Sequence, residues 1–216
     1  MKKLLVLAIG ILMAIPFSLA YGAPYYNTDN DMEWIGYRLE DGGIITGGSW
    51  RTDLLTQEVQ WRITQGSVYH YEYTFLNFSK PAISHVILEL SGNCIGSECV
   101  NLPGAKLEFR TFGPQASNPG FPEGASIYGV KFDFGGESPF MITFDSNRAP
   151  VWGNFYTKGG VDSYAYNEGL LDLLSDSPNC FVPRPDTKTQ VPEPSTILFL
   201  GAGLIGLWAA RKRTKK

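Results

Sequence analysis

Histidine and cysteine are scarce in this chain of 216 residues, which contains two histidines and three cysteines. So few cysteines exclude a disulfide-dense scaffold. Cys94 and Cys99 lack the second ligand pair that a structural zinc site requires. They flank the turn-like tetrapeptide Ile-Gly-Ser-Glu, so a disulfide between them is expected in an oxidising compartment. Pairing of either one with Cys180 stays open as an alternative.

Signatures of nucleophilic catalysis are missing as well. The chain has no G-x-S-x-G elbow, and no cysteine has a neighbouring histidine to serve as its base. His70 and His85 each lie inside a predicted strand, which favours structural roles for both. A carboxylate pair of the glycosidase type leaves no signature in sequence spacing and stays an alternative. We expect a protein that is not an enzyme and that needs no cofactor.

Basic residues are few in the central part of the chain. Between Tyr21 and Gln190 there are 11 basic and 20 acidic residues, so this segment has a net charge of about −9. An acidic segment without a basic stripe argues against nucleic acid as a partner. The charge is compatible with a neutral polysaccharide, with divalent cations, or with solubility alone.

Long apolar runs occur only at the two ends of the chain. At the start, two lysines precede the apolar residues 4–17, and the small-x-small sequence Ser18-Leu19-Ala20 follows. This order is typical of a cleaved secretory signal. We therefore predict a signal peptide over residues 1–20 with a helical apolar core, and a mature chain that begins at Tyr21.

The second apolar run predicts a short membrane helix over residues 195–210. Sixteen residues at 1.5 Å each give about 24 Å of helix, which is short for a bilayer but tolerable when flanking cations reach the headgroups. Arg211, Lys212 and Arg213 follow at once, within a basic tail of residues 211–216. Cations in this position predict a cytoplasmic tail that fixes the topology of the helix.

A dinucleotide motif overlaps this run, because Gly201, Gly203 and Gly206 match the pattern G-x-G-x-x-G. A real site needs a strand before the motif and an acidic residue about 20 positions after it. Only ten residues follow Gly206, and none is acidic. The motif is therefore not a nucleotide site.

The tail as a whole has three parts in a fixed order: Pro192-Glu193-Pro194, the apolar span with Gly-Ala-Gly, and the basic cluster. In this order it resembles the PEP-CTERM sorting signal of Gram-negative bacterial surface proteins. The two prolines also hold the backbone extended and non-helical, a form that a protease can engage. A permanent membrane anchor is the alternative reading of the same tail.

The resemblance implies processing by exosortase, a membrane-embedded sorting enzyme, with Pro192, Glu193 and Pro194 as the recognition motif. Cleavage near this motif would release the chain from a transient membrane anchor to the cell surface or extracellular matrix. The stretches YHYEYTFLNFSKPAISHVILELSGNC and ITFDSNRAPVWGNFYTKGG also resemble mature domains of PEP-CTERM proteins. The family further implies an exopolysaccharide-producing, biofilm-forming host and a structural or matrix role.

The segment between the two ends predicts strand after strand. Val59, Trp61 and Ile63 alternate with polar residues, and tyrosines alternate with polar residues from Tyr69 to Phe75. Further strands are predicted at residues 83–90, 106–112, 126–134, 140–145 and 151–157, and one short helix at residues 168–174. These strands and their Gly- and Pro-rich turns predict an all-β domain over residues 21–181. A two-sheet antiparallel sandwich, of jelly-roll or immunoglobulin-like type, is favoured, with a barrel enclosing a ligand cavity as the alternative.

Proline-rich residues 182–194 follow this domain and predict an extended linker that carries the sorting motif. Within the domain, the aromatic residues offer a carbohydrate-binding alternative, because exposed rings can stack on sugar faces. The candidates are Trp50, Trp61, Trp152, Phe155 and Tyr156. Since large rings are ordinarily core residues, carbohydrate binding stays second to a structural role.

An acidic cluster near the start of the mature chain suggests calcium. Asp29, Asp31, Glu33 and Glu40 have the spacing of positions 1, 3, 5 and 12 in an EF-hand loop. Trp34 occupies position 6, where the loop needs glycine, so an EF-hand is excluded. A calcium site built from Asp29, Asp31 and Glu33 stays open beside a solvated polar segment.

Overall fold

A computed structural model describes residues 33–40, 42–51, 56–78, 80–94, 96–133, 140–171 and 178–185. In these residues the chain forms twelve strands, arranged in three antiparallel sheets, and four short 3-10 turns. The all-β prediction is therefore confirmed. The predicted signal peptide (residues 1–20) and membrane helix (residues 195–210) lie outside the described residues.

The first sheet has four strands in the order β1-β3-β4-β8. They are β1 (Glu33–Leu39), β3 (Glu58–Gln65), β4 (Tyr69–Leu76) and β8 (Phe140–Ser146). Strict alternation along β3 and β4 places one apolar face inward and one polar face outward. β1 and β8 form the two edges of this sheet.

The second sheet has six strands in the order β2-β11-β10-β5-β7-β6. They are β2 (Ile44–Gly47), β11 (Ser163–Asn167), β10 (Phe155–Gly159), β5 (Ile83–Glu89), β7 (Ile127–Asp133) and β6 (Glu108–Phe112). The central strand β5 is buried along most of its length. A strand that is covered on both faces reads as a nearly continuous apolar run.

The inward faces of these two sheets share one hydrophobic cluster. Phe75 of β4 meets Phe155 of β10 with ring centroids 6.0 Å apart, and Phe132 of β7 meets Phe144 of β8 at 5.8 Å. Each fully buried aromatic or aliphatic side chain contributes roughly 1.5–3 kcal/mol from the burial of apolar surface. Contacts between the two sheets therefore form the main core.

A second cluster lies on the opposite face of the six-stranded sheet, beneath a segment that we name the covering loop, residues 113–126. Phe121 of this loop packs on Tyr156 with ring centroids 5.0 Å apart, and the Tyr156 hydroxyl donates to the Pro119 carbonyl oxygen at 2.7 Å. The covering loop thus shields a sheet face that would otherwise be exposed.

The third sheet is a two-stranded ribbon of β9 (Pro150–Gly153) and β12 (Val182–Pro185). The prediction of a single strand over residues 151–157 is wrong, because the chain passes from β9 to β10 at Asn154 and the two strands belong to different sheets. The backbone N–H of Asn154 bonds to the carboxylate of Glu89, outside the ladder that β9 forms with β12.

The predicted linker boundary at residue 182 is also wrong. Val182 is fully buried and pairs with Gly153, while the side chain of Arg184 reaches Ser91. The folded domain therefore extends at least to Pro185. Proline is tolerated here because β12 is a short edge strand with only one neighbour.

The predicted helix at residues 168–174 is replaced, in its described part, by a 3-10 turn over Glu168–Leu170. Gly169 lies under the ring of Phe181, where a Cβ would come within 2.2 Å of a ring carbon. Close packing against this ring holds the turn in place. Residues 172–174 lie outside the described part of the chain.

Candidate functional site

A cleft of about 660 Å³ lies beside strand β1, and we name it the edge cleft. Its walls are the open edge of β1, the ribbon strand β9, and the 3-10 turn Pro178–Cys180. The lining residues used below are Tyr37, Arg38, Gly42, Trp61, Trp152 and Asn179. Its volume lies within the range of roughly 300–1,000 Å³ that is typical of small-molecule sites.

Two tryptophans form the apolar wall of the edge cleft. Trp61 of β3 and Trp152 of β9 meet edge to face, with ring centroids 6.1 Å apart and an interplanar angle of 81°. Gly36 lies opposite Trp61 in the strand pairing, and a Cβ on Gly36 would come within 2.4 Å of the indole. The glycine in β1 therefore makes room for the Trp61 ring. Trp61 is buried, whereas Trp152 is half-buried.

Arg38 of β1 lies over both indoles, with its guanidinium carbon 4.9 Å from the Trp61 centroid and 5.3 Å from the Trp152 centroid. Its guanidinium donates three hydrogen bonds to backbone carbonyl oxygens: Nε to Phe181 at 3.0 Å, and the two terminal nitrogens to Tyr37 at 2.8 Å and Pro178 at 2.7 Å. These bonds and the two rings hold the cation in one orientation.

The charge of Arg38 has no carboxylate partner among the described residues. Glu40 lies two residues away, but its carboxylate accepts a hydrogen bond from the Thr46 hydroxyl. Burial lowers the pKa of Arg38, because desolvation disfavours its charged form. The edge cleft therefore contains a fixed, half-buried cation between two aromatic rings.

A buried polar network holds the ribbon that carries Trp152. The carboxylate of Glu89 accepts hydrogen bonds at 2.7 Å from the backbone and side-chain N–H groups of Asn154. Asn167 donates to the Asn154 side chain and to the Cys180 carbonyl, both at 2.7 Å, and Arg184 lies 3.5 Å from Glu89. Strands β5, β9, β10, β11 and β12 are linked in this way. Sequence reasoning missed this network, because its members are scattered over 96 residues.

The predicted cysteine pair is joined in the structure. Cys94 and Cys99 form a disulfide with their Cα atoms 5.5 Å apart, and both residues are fully buried. Cys180 lies outside this bridge, and its sulfhydryl is 3.6 Å from the carboxylate of Glu168. The alternative pairings with Cys180 do not occur in this structure.

Of the three calcium candidates, Glu33 is described, and Asp29 and Asp31 lie outside the described residues. Glu33 begins β1, and its carboxylate forms an ion pair with Arg62 of β3 at 3.1 Å. The side chain is therefore already neutralised by a neighbouring strand. Across the described ranges, there is no group of three or more candidate metal ligands.

Most of the aromatic candidates for sugar stacking are core residues. Trp50, Trp61, Phe155 and Tyr156 are each less than 5% exposed, so their ring faces do not form a surface platform. Trp152 is half-buried and lines the edge cleft. Tyr37, which the sequence did not single out, is 58% exposed on the same cleft. The available sequence signal was a tyrosine next to Gly36, but the strand that contains both residues was not predicted.

The two histidines lie on different sheets. His70 of β4 is half exposed and bonds to Asp145 of β8 at 2.8 Å, on the outer face of the four-stranded sheet. His85 of β5 is buried, near Tyr156 and the covering loop. Burial, together with a smaller contribution from Lys131, lowers the pKa of His85 to about 4.

The sorting residues Pro192, Glu193 and Pro194, and the topology residues Arg211, Lys212 and Arg213, lie outside the described residues. Among the described residues, no helix has the length and apolar character needed to cross a membrane. The site in the C-terminal segment is therefore identified by sequence comparison.

Residues 190–213 match the family model for the PEP-CTERM protein-sorting motif. The resemblance predicted from the three-part tail is therefore confirmed. The chain is an exported protein that is targeted to exosortase for sorting to the surface. No curated protein and no solved structure matches the chain, so these two comparisons add no further relative.

Proposed function

We propose that this protein is a structural, non-catalytic component of the cell surface or extracellular matrix of a Gram-negative bacterium, associated with its biofilm and exopolysaccharide. The supporting observation is the PEP-CTERM protein-sorting motif at residues 190–213. In this proposal a signal peptide over residues 1–20 starts export, and residues 195–210 anchor the chain in the membrane for a time. Exosortase then cleaves near Pro192, Glu193 and Pro194.

The folded domain has properties that suit a matrix component. The two large sheets share a core that is rich in aromatic residues, an arrangement that we infer to be a β-sandwich. A fully buried disulfide closes the loop between Cys94 and Cys99. A net charge of about −9 in the mature segment favours solubility outside the cell.

The absence of catalysis in this proposal is supported by the surroundings of the two histidines. His85 is buried beneath the covering loop, and its pKa near 4 keeps it neutral at ordinary pH. His70 bonds to Asp145, which is 75 residues distant in the sequence. In the sheet, Thr64 of β3 and Asp145 of β8 are its partners on the two neighbouring strands. Among the hydrogen bonds of the described residues, none joins either histidine to the cysteine or serine nucleophile that such catalysis requires.

Processing of the tail is tested by changing the motif in the native host. We expect Glu193→Ala and Pro194→Ala to leave an uncleaved form in the membrane fraction, because both changes alter the segment that exosortase recognises. Asp186→Ala is the matched control, since it lies in the same stretch but outside residues 190–213. The measurement is the intact mass and both termini of the protein from membrane and extracellular fractions. Normal processing of the two motif variants would contradict the proposal.

Carbohydrate binding is the second candidate function, and the edge cleft is the observation that favours it. Burial of four of the five aromatic candidates removes an open stacking surface. Trp152 and Tyr37 remain accessible along the cleft. A sugar would therefore bind in a groove rather than on a flat face.

A further inference from the structure

Arg38 is a cation in an environment that disfavours charge. Its guanidinium lies between two indoles and a backbone edge, and no carboxylate of the described residues neutralises it. Moving a charge out of water without a partner is costly, so such groups are ordinarily paired. Within the described part of the chain, no carboxylate compensates this charge, so the edge cleft offers a positive charge that an anionic group can neutralise.

Arg38 also keeps hydrogen-bonding capacity. A guanidinium has five N–H donors, and three of them donate to the carbonyl oxygens of Phe181, Tyr37 and Pro178. Within the described residues, two donors remain. A planar, fixed guanidinium with spare donors suits a carboxylate, which accepts charge-assisted hydrogen bonds.

The remaining walls suit a ring with an apolar face and polar edges. Trp152 presents half-buried aromatic surface, and Tyr37 and Asn179 also line the cleft. A pyranose has this character, because its C–H groups form apolar faces while its hydroxyls point outward. A cleft of about 660 Å³ is large enough for one or two such rings.

From this combination we propose that the edge cleft binds a uronate, a carboxylate-bearing sugar residue of an extracellular polysaccharide, with Arg38 as the carboxylate partner. The inference rests on the proposed matrix role and names the ligand class. The net charge of about −9 disfavours contact of a polyanion with the domain in general, so binding would depend on the local positive charge of Arg38 in the cleft. Trp152 would contact a face of the ring.

The test uses the full chain, expressed without exosortase so that the tail is retained, and placed in lipid nanodiscs. The probes are tetragalacturonate and its methyl ester, which share a backbone and differ in charge. We expect tetragalacturonate to bind at least about tenfold more tightly than the ester, measured by calorimetry, because the ester loses the charge-assisted hydrogen bonds. Binding should weaken with added salt.

Two pairs of variants locate the site. Gly42→Leu adds an apolar side chain to the lining of the cleft at a position where a Cβ meets nothing within 4 Å, and Gly92→Leu is its control in an equally open position elsewhere. Arg38→Met removes the cation, and Arg110→Met removes a comparable one that stacks on Phe112 and pairs with Glu108. We expect roughly tenfold weaker binding for each cleft variant and no change for either control.

Three results would overturn the proposal: no binding of tetragalacturonate at millimolar concentration, equal binding of the ester, or unchanged binding by Gly42→Leu. Because the chain in nanodiscs is unprocessed, these results do not depend on sorting. Failure of the sorting function shows instead in the termini of the protein recovered from cells. The two proposals can therefore fail separately.

Discussion

The two large sheets differ in what covers their outer faces. In the four-stranded sheet the outer face is open to solvent, where Met141 is 57% exposed and the side chain of Arg62 is 59% exposed. In the six-stranded sheet the covering loop buries Phe121 and Tyr156 in a second cluster. The first sheet therefore depends on one core, and the second sheet lies between two.

This difference is visible in the strand sequences. β4 reads YHYEYTFL and alternates, whereas β5 reads ISHVILE and is buried at five of seven positions. An apolar residue on the outward face of a strand predicts an additional layer over that sheet. The comparison leads to three measurable expectations about the two outer faces.

The largest expected effect is loss of stability when the covering loop loses its anchor. Phe121→Ala should lower the free energy of unfolding by about 3–4 kcal/mol, because it removes a buried ring that packs on Tyr156 at 5.0 Å. Met141→Ala, on the open face, should change it by less than about 0.5 kcal/mol. Urea unfolding of both variants measures the difference. Equal effects would show that the loop is not part of the folded unit.

The next effect is a pH dependence that arises at His85, which lies under the covering loop. Lys131 and Asp133 of β7, Lys158 of β10 and Asn118 of the loop also influence it. Its folded pKa of about 4 lies below the ordinary value of 6.5, so the unfolded state binds more protons between these values. Stability should therefore fall by about 3 kcal/mol as the pH drops from 6.5 to 4.

His85→Gln separates this contribution from that of the carboxylates. The difference in unfolding free energy between the wild type and the variant should narrow as the pH drops from 6.5 to 4, because the variant lacks the titrating imidazole. His70→Gln, on the open face, is the comparison variant. Parallel pH profiles of wild type and His85→Gln would contradict the buried, neutral histidine.

The smallest effect concerns the ion pair between Glu33 and Arg62 on the open face. A double-mutant cycle with Glu33→Gln and Arg62→Gln should give a coupling energy below about 1 kcal/mol, because the Arg62 side chain is 59% exposed and solvent screens the pair. The coupling should shrink further in 1 M salt. A larger coupling energy that resists salt would mean that this face is covered by another surface.

The sequence predicted those strands whose side chains alternate in a regular way or that form unbroken apolar runs. β1 escaped prediction because Gly36 interrupts its pattern, and β11 because its inward residues include Ser163 and Asn167. β12 escaped because its two prolines are typical of a linker. Asn154 separates β9 from β10 and is held by hydrogen bonds to Glu89, a residue 65 positions away in the sequence, so its role could not be predicted.

The sorting motif was accessible from sequence, because it is a contiguous signal that depends on local order. The edge cleft was not accessible, although Trp61 and Trp152 were both noted as aromatic residues. The cleft exists because β1, β9 and the turn at Pro178–Cys180 meet in space. Arg38 could not be recognised as a site residue from sequence, because its role depends on its position over the rings of Trp61 and Trp152.

The position of β12 sets the length of the linker between the folded domain and the proposed membrane helix. Nine residues, 186–194, lie between Pro185, the end of the ribbon, and Ser195, where the proposed membrane helix begins, so ten Cα-to-Cα steps join the two positions. A fully extended chain of this length spans at most about 36 Å. If residues 195–210 anchor the chain as proposed, the folded domain lies close to the bilayer surface before cleavage. Exosortase would have to work in this narrow gap, so the bulk of the domain itself limits which enzymes can reach the motif.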